Sequence, residues 1–390
     1  MSQGLPANQP ASVGGEPPVA ATNVPPPRRR RWKRYAGLLG AILLALLWWE
    51  TRGPTAEEIE AEVKAVGGKI ATEPRCPEWI LQHLPGALKD RIEQWRTVTE
   101  INVRDRNVTD AHLISWGKLT SLKRLYLDST QITDAGLVHL SELKNLESLI
   151  LRSTEVTDGG LKHLSGLKNL MLLNLDDTDI SDAGLIQIGG LTSLRHLALD
   201  STPVTDAGLV HLSGLTKLGS LSLKSTQVTD AGLVHVGHFT NLGWLYLNST
   251  QVTDEGLVHL SGLTNLYDLN LNSTQVTGAG LVHLSRLPNL HSLFLKSAAV
   301  TDAGLGQGSG PLTLHFLSLQ STQVTDAGLI HLRGLANLDI LDLESTQVTD
   351  AGLVHLGELT NLTILHLQST RVTEAAKDEF HRQHPNCMAL

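Results

Sequence analysis

Residues 242–265, LGWLYLNSTQVTDEGLVHLSGLTN, are one copy of a 24-residue unit that recurs along the chain without a gap. Aligned copies begin at Leu122, Leu146, Leu170, Leu194, Leu218, Leu242, Leu266, Leu290, Leu314, Leu338 and Leu362. A diverged first copy begins at Val98, so that twelve units cover residues 98–385. A fixed period of about 20–29 residues is typical of a solenoid, in which successive units stack and share one core.

The residues within one unit predict a short strand followed by a short helix. Leucines at unit positions 4 and 6 alternate with other residues, so their side chains share one face of a strand. Leucines at positions 16, 19 and 22 recur every third residue, which is typical of a helical turn. Thr at position 12, as in Thr229, is a good helix N-cap, and Asp at position 13, as in Asp230, suits the first helical turn.

The pattern LxxLxLxxTxVTDAGLxHLxxLxx resembles the leucine-rich repeat, in the short TDAGL variety of large bacterial repeat families, and is similar to the cysteine-containing repeats of F-box proteins. The resemblance covers about three quarters of the chain. It implies an α/β solenoid, a right-handed coil with a concave parallel β-sheet and convex short helices. In one departure from the family, Thr replaces Asn at position 9, as in Thr130. We expect these hydroxyls to bridge backbone groups of adjacent coils.

The N-terminal segment predicts a membrane anchor. Residues 1–34 hold seven prolines before position 28 and the basic cluster RRRRWKR at 28–34, and they predict a disordered cytoplasmic tail. Residues 35–49, YAGLLGAILLALLWW, are apolar throughout. A helix of this length spans about 22 Å, which thinning of the bilayer accommodates. No small-residue cleavage site follows, so we favour a single-pass transmembrane signal anchor over a cleaved signal peptide that releases a secreted repeat protein. Positive charge inside then places the repeat domain on the non-cytoplasmic side.

Both ends of the solenoid need covers, because terminal units otherwise expose their leucines. Residues 50–97 predict a tether and a helical N-terminal cap, with an amphipathic helix at 56–66. The solenoid occupies 98–373, and the charged residues of 374–390 predict a C-terminal cap in which Phe380 stays apolar. Cys76 and Cys387 lie at opposite ends, too far apart for a disulfide between them.

Charge and spacing exclude several classes of function. The chain carries a formal charge of −8, and because residues 1–34 carry +5, the remainder carries −13. An acidic domain is unsuited to nucleic acid, whose phosphates require a basic surface. A histidine column at position 18 invites a metal interpretation: His139, His163, His211, His235, His259, His283, His331 and His355. Each of these histidines has the same repeat context, so we interpret them as structural and predict no metal and no cofactor.

An aromatic cluster marks the candidate binding site. Strand positions 3, 5 and 7 alternate with the core leucines and therefore lie on the concave side, where their residues vary. The predicted partner-binding residues are Trp244, Tyr246, Tyr267, His291, Phe294, His315 and Phe316. Clustered aromatics on a polar surface are typical of a site that binds a protein or a glycan. In the alternative interpretation, the rings only pack on one another across strands.

The unit that begins at Leu290 departs most from the repeat. Gly278 replaces the position-13 aspartate just before it, and Gly306, Gly308, Gly310 and Pro311 fall in its helical segment. Glycine and proline disfavour helix, so this composition predicts a disrupted helical segment and a local bend.

The sequence as a whole predicts a membrane-anchored, non-enzymatic recognition scaffold that binds a protein, or a glycan, on its concave sheet. One alternative is a substrate-recognition adaptor of the F-box, ubiquitin-ligase type, which requires a helical F-box that residues 55–97 are poorly suited to form. A second alternative is a hydrolase with an unrecognised site, for which His291 and His315 are the nearest candidates.

Overall fold

The computed structural model describes residues 55–74, 96–308 and 313–390. The predictions for the basic tail, for the anchor at 35–49, for most of the tether and for residues 75–95 of the N-terminal cap, which include Cys76, lie outside the described residues. Within the described ranges, no helix combines the length and the apolar character needed to cross a membrane.

The repeated strands of the described chain form one sheet in chain order. The strands are β1 Lys69–Pro74, β2 Arg96–Asn102, β3 Arg124–Tyr126, β4 Ser148–Ile150, β5 Leu172–Asn174, β6 His196–Ala198, β7 Ser220–Ser222, β8 Trp244–Tyr246, β9 Asp268–Asn270, β10 Ser292–Phe294, β11 Phe316–Ser318, β12 Ile340–Asp342, β13 Ile364–His366 and β14 Met388–Ala389. From β2 onward the strands are parallel, and neighbours such as Leu245 and Leu269 pair one unit apart. The prediction of a parallel-stranded leucine solenoid is confirmed.

Short helices follow the strands within each unit. The α-helices are α1 Ala56–Ala65, α2 Asp110–Trp116, α3 Asp134–Leu137, α4 Asp158–Leu161, α5 Asp182–Ile188, α6 Asp206–Leu209, α7 Asp230–Val236, α8 Asp302–Gly308, α9 Asp326–Leu329 and α10 Glu374–Gln383. The 3-10 helices are Val138–Leu140, Lys162–Leu164, Val210–Leu212, Gly256–Gly262, Ala279–Arg286, Ile330–Leu332 and Asp350–Leu356.

A continuous aliphatic core lies between the sheet and the helices. The repeated leucines are buried, as are the larger Trp116, the last residue of α2, and Phe239, which follows α7. Within a strand, burial alternates as the period of two requires: Leu245 is buried, whereas Trp244 and Tyr246 on either side of it face solvent. The open face is therefore the side of the sheet on which positions 3, 5 and 7 lie.

The TDAG sequence is explained by a bridge between adjacent units. In α6, the Oδ1 atom of Asp206 accepts a hydrogen bond from the backbone N–H of Thr229 at 2.8 Å, and Oδ2 accepts one from its hydroxyl at 2.6 Å. The Thr229 hydroxyl in turn accepts the N–H of Ala231 and so caps α7. Gly232 makes room for the carboxylate, because a Cβ atom there would lie 2.4 Å from Oδ1 of Asp206.

The sequence explained the position-13 aspartate by local capping and missed this bridge. The same bridge joins Asp110 to Thr133, Asp134 to Thr157, Asp158 to Ser181, Asp182 to Thr205, Asp230 to Thr253, Asp254 to Thr277, Asp302 to Thr325, Asp326 to Thr349 and Asp350 to Thr373. Where Gly278 replaces the aspartate, the N–H of Thr301 donates to the carbonyl of Thr277 instead.

The predicted ladder of position-9 hydroxyls between coils was wrong. The hydroxyl of Thr130 donates to the carbonyl of Leu127 in its own turn, at 2.6 Å, and equivalent threonines do the same. The preceding residue, Ser129, has a φ of 52°, in the left-handed region. This turn in the backbone brings the Thr130 hydroxyl to the carbonyl of Leu127.

The predicted loss of helix in the unit at Leu290 was also wrong for residues 302–308, where α8 forms. Gly310 and Pro311 lie outside the described residues, and the local bend stays a prediction. Asp302 is retained there, and the Thr301 hydroxyl accepts the N–H of Gly304 at 3.1 Å. Gly304, the glycine that most other units share at this position, allows a close approach of two units: a Cβ atom there would lie 2.0 Å from the carbonyl oxygen of Thr277.

Additional elements cover both ends of the solenoid. Helix α1 begins with a capping box at Thr55 and buries Ile59 and Val63 against the first unit. Strand β1, which the sequence did not predict, pairs antiparallel with β2. At the other end, α10 buries Phe380, and β14 adds a parallel strand beside β13.

Candidate functional site

The predicted site residues lie on or beside the open face of β8–β11. Trp244 and Tyr246 belong to β8, Phe294 to β10 and Phe316 to β11. Trp244 is 44% exposed, which makes it one of the most exposed large apolar side chains in the described part of the sheet. The other three rings are half-buried.

Tyr267, His291 and His315 form a ring stack at the edge where the strands begin. The centroids of Tyr267 and His291 are 4.7 Å apart with a 17° angle between the rings, and those of His291 and His315 are 4.3 Å apart at 3°. The three residues occupy position 2 of consecutive units, so the spacing of parallel strands, about 4.8 Å, sets the stacking distance. Burial and the neighbouring His315 lower the pKa of His291, an effect that Asp339 partly offsets.

Phe294 and Phe316 form a second ring contact, with centroids 4.7 Å apart and a 36° angle between the rings. Packing of rings across strands therefore accounts for these two residues and for the position-2 stack. It does not account for Trp244 and Tyr246, since neither makes a ring contact with another described residue. The structure thus divides the seven predicted residues into two packed groups and an open pair.

Asp268 lies beside this open pair. It pairs with Trp244 on one side and with Ser292 on the other in the strand register. Its Oδ1 atom is shielded from solvent and accepts no hydrogen bond within the described chain. Burial raises the pKa of Asp268 to about 6, and burial together with the charge of Asp268 raises the pKa of Tyr246. The aspartate was not among the predicted site residues.

A groove of about 510 Å³, lined by both polar and apolar side chains, continues from Tyr246 toward β4. Its two carboxylates, Asp176 and Asp200, are partly buried and hydrogen bonded within the protein. Asp176 accepts the N–H of Asp200 at 2.8 Å and an amide hydrogen of Asn174 at 2.8 Å, and burial raises the pKa of Asp176. Asp200 accepts hydrogen bonds from the Ser222 hydroxyl and from a backbone N–H. The groove extends the recognition surface beyond the aromatic residues.

The chemistry of this face suits binding. Aromatic rings supply apolar contact area with little loss of conformational freedom, and half-buried carboxylates and amides supply directional contacts. Among the described residues, no group of three or more His, Cys, Asp or Glu side chains is placed to hold a metal ion.

Comparison with known proteins supports this architecture. A model of the leucine-rich repeat matches residues 118–141 and 142–165. An internalin (inlF) from Listeria monocytogenes is 22% identical, with 87% of this chain and 96% of that chain covered and a TM-score of 0.58. A leucine-rich repeat protein from Leptospira interrogans is 21% identical, with 71% of this chain and 74% of that chain covered and a TM-score of 0.50.

These similarities establish the fold, a leucine-rich repeat solenoid. A search of curated proteins finds no match to the chain. Function must therefore be argued from the open face itself, because one fold carries many functions.

Proposed function

We propose that this chain is a membrane-anchored, non-enzymatic recognition scaffold that binds a protein on its open face. The observation that carries the proposal is the half-exposed Trp244 ring, which stands beside Tyr246 and Asp268 on a sheet fixed by backbone pairing on both sides. Large aromatic side chains on a rigid surface are the residues that most often dominate protein binding energy.

The arrangement of the face supports a protein partner of some length. The groove spans β4–β9, and the exposed Trp244 and the half-buried Phe316 lie on β8 and β11. Contacts are therefore available over many successive units. Phe294 and Phe316 pack on each other and offer a preformed apolar surface at the end of this path. A surface that is already ordered loses little entropy on binding.

Membrane attachment is proposed from residues 35–49, and the basic cluster before them favours a repeat domain outside the cytoplasm. Protease treatment of intact cells tests this placement. The proposal expects cleavage of the repeat domain without lysis, and complete protection of that domain would contradict it.

The binding proposal is tested with the double variant Trp244→Ala, Phe316→Ala. Partner capture from a membrane extract should fall at least about tenfold, the scale of losing a binding hot spot. The matched control is Val234→Ala, Val258→Ala, which removes side chains of similar exposure, 42% and 41%, from the helical side. Unchanged capture by the sheet variant, or an equal loss in the control, would refute the proposed site.

A further inference from the structure

Asp268 is a carboxylate on the open face, and no counterion to it is found among the described residues. Its pKa is shifted by burial, no ion pair to it forms among the described residues, and Oδ1 accepts no hydrogen bond there. The neighbouring Ser292 hydroxyl lies 3.3 Å from Nδ1 of His291. A shielded carboxylate without a partner is costly, and such groups tend to occur where a ligand supplies the missing contact.

Other acids of the same face have their partners inside the protein. Asp342 accepts the Ser318 hydroxyl at 2.9 Å and the N–H of Glu344 at 3.0 Å. Glu100 on β2 pairs with Nε of Arg124 at 2.6 Å. Asp128 has a shielded oxygen as well, but Nε of Arg104 lies 2.8 Å from it. Asp268 therefore differs from these acids, because neither a hydroxyl nor a basic side chain of the described chain meets its buried oxygen.

Elsewhere on the same face, a cation lies between a tyrosine and an acid. Tyr126 on β3 occupies unit position 5, the position that Tyr246 occupies on β8. The guanidinium of Arg104 lies 4.6 Å from the centre of the Tyr126 ring, and its Nε atom lies 2.8 Å from a carboxylate oxygen of Asp128. A cation there rests on a tyrosine and pairs with an acid of the same face.

The Tyr246 site places its acid differently: Asn248 occupies the position of Asp128, and Asp268 lies at position 3 of the next unit, beside Trp244. Lys224 occupies the unit position that corresponds to Arg104, but its side chain is exposed and forms no ion pair with the described acids. Trp244 adds a second ring, and indole is the aromatic group that attracts cations most strongly. The acidic charge of the chain after residue 34 would also draw a cation toward this surface.

We propose that the protein partner presents a basic side chain, an arginine or a lysine, that lies on Trp244 and Tyr246 and forms an ion pair with Asp268. This inference rests on the proposed binding function and names the chemistry of the group that is recognised. Arginine fits best, since its planar guanidinium stacks on rings while it donates to a carboxylate.

Peptide selection tests the inference and does not require the identity of the partner. Short random peptides displayed on phage are selected in parallel on the full chain in detergent and on its variants Asp268→Asn and Trp244→Ala. The matched control is Asp342→Asn, a change of the same kind at a sheet-face aspartate whose oxygens are already hydrogen bonded. Bound peptides are then synthesised with arginine and with citrulline, which keeps the shape and removes the charge.

The inference expects peptides that share one basic residue and are lost on Trp244→Ala. The citrulline peptide should bind the unaltered protein at least about tenfold more weakly, and Asp268→Asn should weaken the arginine peptide by a similar factor. The two losses should not add, because both remove the same ion pair. The Asp342→Asn control should bind like the unaltered protein.

Three results would overturn the inference in distinguishable ways. Peptides that require Trp244 but share no basic residue, or that bind Asp268→Asn equally well, would refute it and leave the proposed function standing. Binding of neutral oligosaccharides that requires Trp244, without any peptide selected, would identify a glycan site and refute a basic protein group. Failure of every selected peptide to depend on Trp244, together with full binding to the double variant Trp244→Ala, Phe316→Ala, would refute the proposed binding face as well.

Discussion

Replacing Asp268 with asparagine should stabilise the protein at neutral pH, although it removes a group that we assign to binding. Burial raises the pKa of Asp268 from 3.8 to about 6. A tenfold change in proton affinity corresponds to about 1.4 kcal/mol, so the whole rise in pKa gives about 3 kcal/mol of destabilisation when the carboxylate is charged. The side chain is half-buried and water screens its charge, so we expect about 1–2 kcal/mol.

The pH dependence of this effect has a definite sign. A raised pKa means that the folded state binds the proton more tightly than the unfolded state, so Asp268 lowers stability as pH rises from about 4 to about 6 and not further above that range. The Asp268→Asn variant lacks this loss. The two proteins should be equally stable near pH 3.5 and differ most above about pH 6.5.

The assay is denaturant unfolding of both proteins across this pH range, with hydrogen exchange of residues 266–275 as the local readout, because repeat proteins can unfold in parts. Asp342→Asn is the control and should destabilise by about 1 kcal/mol, since one of its two hydrogen bonds is lost. An Asp268→Asn protein that is less stable than the unaltered one at about pH 7.5 would refute the reasoning, because it would mean that the carboxylate is satisfied in the folded state.

Three further predictions concern the solenoid and its rings. Gly232→Ala should displace the carboxylate of Asp206 and cost about 2–3 kcal/mol in unfolding experiments, because two hydrogen bonds to a charged group are lost. Cys387 should be alkylated slowly at about pH 8 in the native protein, since burial raises the pKa of its thiol to about 11, and peptide mass spectrometry measures the rate. His315→Gln should raise the pKa of His291 in an NMR titration, because one of the two causes that lower it is removed.

Each of these predictions has a matched comparison. Gly262→Ala is the control for the solenoid, since a Cβ atom there meets nothing within 4 Å, and an equal loss of stability in both variants would contradict the bridge. Equal alkylation of Cys387 in native and denatured protein would contradict its burial. Tyr267→Leu removes the ring on the other side of His291 without removing a charge, so a change in pKa as large as that of His315→Gln would assign the effect to burial alone.

The repeat period made most of the fold predictable. Leucines such as Leu245 recur at a spacing that serves both the strand and the next unit, so the register and the buried face follow from the sequence. The same logic places Trp244 on the open face and His291 next to His315, because equal positions in consecutive units become neighbours. The type of each side chain and the stacking of equal positions in consecutive units are enough to predict these features.

Contacts that cross between units at unequal positions were not predictable in this way. Asp206 at unit position 13 bonds to Thr229, which is at position 12 of the next unit. From the sequence, a favourable place in the first turn of its own helix explained the aspartate equally well. The burial of Asp268 depends on how far the neighbouring side chains shield it. The sequence shows only that the same position is a tryptophan in the unit before and a serine in the unit after. Burial of a single polar atom requires the folded structure.

Site-specific photocrosslinking tests the central claim, that partners bind the open face, most directly. A photoreactive residue at Ser220, beside Trp244 on the sheet, is compared with one at Val258 on the helical side, in cells that make the protein naturally. The account predicts a covalent adduct with another protein at Ser220 that disappears with Trp244→Ala, and none at Val258. Adducts that form at Val258 and not at Ser220 would contradict it.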